Sequence, residues 1–148
     1  MADFELRDAI PTELDVARAY RILQLRVDVF VVEQECPYPE LDGRDLEPSA
    51  RWVWAEADGQ VLGTLRILRE ADGSARIGRV VTDPAARSSG MGAVLMNRAL
   101  ELVGPEVRLV LDAQAQLEGW YARFGFGRSG EPFVEDGIPH VPMSRDAD

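Results

Sequence analysis

Ile77-Gly78-Arg79-Val80-Val81-Thr82-Asp83-Pro84-Ala85-Ala86-Arg87-Ser88-Ser89-Gly90-Met91-Gly92 carries the decisive information in this chain. An apolar strand, Ile77 to Val81, runs into the breaker Asp83-Pro84, and a segment with helical spacing then reaches about Val103. Two glycines at a helix mouth leave the backbone bare, so another body can approach it closely. The first amides of a helix have no intrahelical partner and sit at the positive end of its dipole. Arg87 adds a full positive charge in front of them. The chemistry implied is capture of a pyrophosphate by backbone donors. On this motif alone, a helix entry built from small residues reads equally well.

Two other nucleotide sites are weakened at once. A Walker-type phosphate loop needs a lysine after its glycines, and all 16 basic residues here are arginine. A dinucleotide fingerprint wants a third glycine where Leu95 stands.

Working outward, 148 residues predict one domain, 1–148, with room for a real core. At 46% apolar and 28% charged the chain reads as globular. No stretch approaches the roughly 20 apolar residues of a membrane span. The opening Met-Ala-Asp-Phe-Glu has neither basic nor apolar leader character, so a cytoplasmic setting is expected. A net charge of −10 disfavours nucleic acid and anionic membranes as partners, and suits a cationic substrate or simply solubility. One cysteine (Cys36) and one histidine (His140) are too few for a zinc site, so no metal is expected.

The remaining elements follow from period and punctuation. Phe4 to Leu6 reads as a short strand. Thr12 reads as the cap of a helix from Glu13 to about Val31, with Asp15 three residues on. Prolines and a glycine make Glu33 to Ala50 a long loop. Arg51 to Ala57 and Gln60 to Leu68 alternate around the Asp58-Gly59 turn, and Ala75 to Val81 forms a third strand. Gly90 to Val103 is a helix stopped by Gly104-Pro105, Val107 to Leu111 a strand, and Ala115 to Phe124 a helix. Arg128 to Val134 and His140 to Ser144 close the chain as an antiparallel pair. A strand, helix and strand between Ile77 and Leu111 require one parallel neighbour. The fold class is therefore α/β: a mixed, mostly antiparallel sheet with one parallel strand pair, flanked by helices.

With these residues in order, the chain resembles the GNAT superfamily of acyl-CoA transferases. Arg87, Gly90 and Gly92 match the family's Gln/Arg-x-x-Gly-x-Gly/Ala motif. Gly78 to Thr82 is similar to the strand that pairs with the pantetheine arm. Tyr121-Ala122-Arg123-Phe124-Gly125-Phe126 matches Tyr-x-x-x-Gly-Phe. Leu25 to Gln34, Cys36 to Gly43 and Glu135 to His140 resemble the ElaA-like branch. The resemblance, from about Leu25 to Met143, implies the acyl-CoA N-acyltransferase fold and acetyl-CoA as co-substrate. It implies that the amides of Arg87, Ser88, Ser89, Gly90, Met91 and Gly92 hold the CoA pyrophosphate. Val80 and Val81 would bond the pantetheine, with the Val81 amide also polarising the thioester carbonyl. Gln114 stands where many relatives contact the CoA arm with an asparagine. Two departures stand out: Ser88 replaces a frequent glycine, and Arg51 or Trp52 stands where ElaA-like relatives often carry a histidine.

Aminolysis of a thioester needs a neutral amine, a stabilised oxyanion and a proton for the departing thiolate. Tyr121 suits the last, as a phenol protonated at neutral pH, or is simply a packed aromatic. His140 is the candidate base, or a structural histidine. Glu33, Glu135 and Asp136 are candidates for binding the acceptor, or solvated carboxylates. A water relay would serve in place of any side-chain base. Cys36, among acidic neighbours, reads as a bystander. The resulting expectation is N-acetyl transfer to the amine of a small molecule or peptide, with a homodimer suggested by analogy. A catalytically silent acyl-CoA sensor shares the same pyrophosphate loop and stays open.

Overall fold

The computed structural model describes residues 3–148. The strands are β1 (Glu5–Ala9), β2 (Arg51–Ala57), β3 (Gln60–Arg69), β4 (Ala75–Thr82), β5 (Leu109–Gln114), β6 (Gly127–Arg128), β7 (Phe133–Glu135) and β8 (Ile138–Arg145). The helices are α1 (Val16–Val27), α2 (Met91–Val103) and α3 (Glu118–Ala122). The strands form one sheet in the order β1-β2-β3-β4-β5-β8-β6, with β7 also on β8. All pairings are antiparallel except β4 with β5, the one parallel pair expected between Ile77 and Leu111.

Alternation in β2 shows how the layers arise. Trp52 and Trp54 pack with Ile22, Leu25 and Val29 under α1, while Val53 and Ala55 pack with Met91, Leu95 and Ala99 under α2. Helices therefore cover both faces of the sheet, with β4 central in it.

Several boundaries differ from expectation. Asp15, not Thr12, caps α1: its carboxylate accepts from the Arg18 amide at 2.8 Å. Pro11–Glu13 is a separate 3-10 turn, because Leu14 returns to extended backbone and breaks the helix. Beyond Val27 the helix continues as a wider π turn, Asp28–Glu33, instead of stopping near Val31. The first strand runs to Ala9, and β5 starts two residues later than expected and runs on to Gln114. The expected Ala115–Phe124 helix divides into a 3-10 turn, Ala115–Leu117, and α3. Within the Glu33–Ala50 loop the one regular piece is a 3-10 turn, Arg44–Leu46.

Candidate active site

β4 and β5 are bonded only at Ala75↔Leu109 and Arg76↔Val110, although both strands continue well past that point. Beyond Arg76, among the described residues, this edge of β4 has no strand partner, and an opening lies between β4 and β5 in the middle of the sheet. A bulge sits in the same stretch: Thr64 pairs with Val81 and Arg66 with Gly78, so Arg79 and Val80 together face Leu65. The extra residue of a bulge leaves the ladder and re-aims the backbone. Around this opening lies a cleft of about 610 Å³. Its walls bring together Val80, Val81, Arg87, Gln114, Tyr121, Glu135, Asp136 and His140, eight of the residues singled out from sequence.

The residues expected to meet the pyrophosphate follow Arg87, which lines the cleft. Among the described residues, the amides of Ser88, Gly90, Met91 and Gly92 donate to no protein acceptor, whereas those of Arg87 and Ser89 close turns onto Pro84 and Ala86. Gly90 enters the helix with φ +83°, a left-handed conformation that favours glycine, and open space lies where a Cβ would be. Ser88 also adopts a left-handed conformation, φ +67°, which explains in physical terms why glycine suits that place. The Ser89 hydroxyl bonds the Ala86 carbonyl. Met91 buries its side chain in the core, so only its backbone faces the loop. Gly92 is approached by protein: a Cβ there would lie 3.1 Å from the Trp120 ring.

Glu33, expected to bind the acceptor, does not line the cleft. Its carboxylate accepts two bonds of 2.6 Å from Arg87, and the guanidinium holds its pKa below the ordinary carboxylate value. A carboxylate thus sits on the cation that the sequence led us to expect at the pyrophosphate.

Tyr121 is 7% exposed, between Trp120 (edge-on, 4.9 Å) and Phe126. Burial raises its phenol to a pKa of about 12, so it stays protonated at any physiological pH. Among the described residues its hydroxyl has no partner, yet it is not sealed in the core, which leaves it available to the cleft. His140 approaches the Ile138 carbonyl at 2.7 Å through Nδ1 and stacks on Phe133. A carbonyl only accepts, so Nδ1 carries a proton in this contact, which makes Nε2 the accepting nitrogen of the neutral tautomer. Glu135 and Asp136 are exposed at the hairpin joining β7 and β8; among the described residues neither is ion-paired. Gln114 reaches Gln34 at 3.4 Å, bridging the end of β5 to the π turn.

Sequence reasoning missed Tyr38, Asp42 and Arg79, which line the cleft beside Cys36. Cys36 is buried, and its thiol donates to the Asp136 carbonyl at 3.4 Å, tying the long loop to the hairpin. The loop's length hinted that it does something; the partners its charges would find, at separations of up to 39 residues, carried no local signal. Of Arg51 and Trp52, the two positions where the resemblance led us to expect a histidine, Trp52 is core, with its indole donating to the Asp45 carbonyl at 2.9 Å, and Arg51 pairs with Asp8 at 2.6 Å.

A mixed sheet opened beside a helix mouth with free amides defines an acyl-CoA N-acyltransferase fold. The chain belongs to the GNAT acetyltransferase family, whose domain model, "Acetyltransferase (GNAT) domain", matches residues 20–147. Within it the chain falls in the ElaA-like branch. It is 40% identical to protein ElaA of Escherichia coli over 147 residues, covering 96% of each chain. A UPF0039 protein of Mycobacterium tuberculosis is 49% identical over 144 residues, covering 95% of this chain and 92% of the relative. The crystal structure of an acyl-CoA N-acyltransferase from Pseudomonas aeruginosa superposes with a TM-score of 0.91 at 41% identity, covering 97% of this chain and 99% of that one. Among the described residues no helix is long and apolar enough to cross a membrane.

Proposed function

We propose that the protein transfers an acetyl group from acetyl-CoA to a primary amine of a small molecule or peptide, by direct attack in a ternary complex. The observation that carries this reading is the parting of β4 from β5 beside the free amides of the Arg87–Gly92 loop. A sheet does not leave a central strand edge unpaired without something to take its place.

In this reading the loop amides and Arg87 bind the diphosphate, and the exposed edge of β4 at Val80 and Val81 bonds the pantetheine amides. The thioester supplies the activated acyl carbon. Glu135 and Asp136 draw the amine in as a cation. His140 accepts a proton at Nε2, so the amine attacks in its neutral form. The C–N bond forms and the C–S bond breaks; Tyr121 donates its proton to the departing sulfur, and the second proton shed by the newly acylated nitrogen passes through water to restore the phenol. The oxygen of the carbonyl is held by the β4 backbone at the bulge, where a fixed donor costs no reorganisation.

The test is CoA release across a panel of amines by wild type and Tyr121→Phe. The variant is expected to lose about 10²-fold or more in kcat while binding acetyl-CoA as before. Unchanged turnover would reject Tyr121 as the acid. Acetyl-CoA binding without release by any amine would favour the silent sensor instead.

A further inference from the structure

Arg79 is the one residue of β4 with a left-handed backbone, φ +54°, a conformation that favours glycine. It stands at the bulge, one residue before Val80. Its side chain turns towards the long loop: Nε donates to Glu40 Oε2 at 3.0 Å, and Nη2 to the Glu40 carbonyl at 3.0 Å and to Asp42 at 3.4 Å. Its guanidinium also lies 5.6 Å from the centre of the Tyr38 ring. The loop end of this attachment is itself anchored by other arginines. Glu40 is 3% exposed and accepts a second bond of 2.6 Å from buried Arg26, while Asp42 is gripped by both terminal nitrogens of Arg66 at 2.9 and 2.8 Å.

One side chain thus joins two walls of the cleft: the strand edge offered to the acyl-CoA, and the loop bearing Tyr38 and Asp42 opposite. We propose that Arg79 is a positioning residue for acyl transfer: anchored in Glu40 and Asp42, it holds the β4 bulge so that Val80 and Val81 present their backbone at a fixed distance from the loop wall. This rests on the acyltransferase reading above. The physical reason is that a strained bulge persists only when its surroundings over-determine it. Here the determining contact is made by the strained residue itself.

Glycine separates backbone from side chain at this position. Arg79→Gly adopts the same φ without strain but loses the anchor, and Glu40 and Asp42 keep Arg26 and Arg66, so no buried carboxylate is orphaned. Arg79→Ala loses the anchor and keeps the strain. In the ligand-free variants, amide hydrogen exchange at residues 38–42 and at Val80 and Val81 is expected to speed up about tenfold or more. The dissociation constant for acetyl-CoA is expected to rise, and kcat with the best amine of the panel to fall, by about tenfold. Wild-type exchange in Arg79→Gly, or faster exchange with affinity and kcat untouched, overturns the proposal. If wild type itself binds no acetyl-CoA, the acyltransferase reading falls and the positioning role with it; the exchange result then still reports whether Arg79 fastens loop to strand.

Discussion

Glu33 and Arg87 sit 54 positions apart, and their paired bonds of 2.6 Å put a carboxylate where the proposed function puts a diphosphate. Both side chains are more than two-fifths exposed, so the pair contributes little to stability. Its effect belongs to binding. A ligand anion has to displace Glu33 or share the guanidinium with it, and either costs affinity. Glu33→Gln is therefore expected to tighten acetyl-CoA binding, by about two- to fivefold given the ordinary worth of an exposed pair. Isothermal titration in parallel with acetyl-pantetheine, which lacks the diphosphate, checks the origin: the fragment should bind both proteins alike. Weaker acetyl-CoA binding to the variant would contradict this.

α2 and α3 meet through Gly92. A Cβ there would stand 3.1 Å from the indole of Trp120, tight enough that the ring must yield by a few tenths of an ångström. Trp120 lies edge-on to Tyr121 at 4.9 Å, so displacement of one ring passes to the other. Alanine in a helix is favoured over glycine by about 1 kcal/mol, which offsets the crowding. Gly92→Ala is expected to melt within a few degrees of wild type, yet to lose about threefold or more in kcat through a displaced Tyr121 hydroxyl. Equal kcat in the two proteins would mean that the helix contact does not set the position of the phenol. The second element of note is the Asp28–Glu33 π turn, which carries Glu33 to Arg87 and Gln34 to Gln114. An α-helical turn would have rotated these side chains to other directions.

Across the molecule, the loop from 33 to 50 is held by charge more than by apolar packing. Arg26 bonds Asp45 at 2.7 Å as well as Glu40, and Arg66 pairs with Asp42 and with Asp45. Buried pairs of this kind offset their own desolvation and add mainly geometric definition. They do add a pH dependence. The grip of Arg66 holds the Asp42 carboxyl far below the usual carboxylate range. A depressed folded-state pKa contributes stability that is present above the unfolded value of 3.8 and lost as pH falls below it. Asp42→Asn is expected to cost about 1–3 kcal/mol near neutral pH. Chemical denaturation from pH 7 to pH 2 should show that gap closing below about pH 4. A gap constant over the whole range would mean that the carboxylate charge is not what Arg66 grips.

Local chemistry was legible without coordinates. Glycine and proline clustered between periodic segments mark turns, so Asp58-Gly59, Gly90 and Gly104-Pro105 announced their breaks, and the alternation of β2 and β3 announced a sheet. The parallel pair followed from the order of elements. Cap and strand ends were less legible, because Thr12 and Asp15 offer the backbone the same kind of oxygen and only packing selects between them. The cleft itself required the folded chain. Where the β4–β5 ladder stops, which carboxylate meets Arg87, why Arg79 turns left-handed and what fills the space at Gly92 all depend on partners distant along the chain. Propensity and period act over a few residues; the direction of a side chain into a shared cavity is chosen by the elements packed against it.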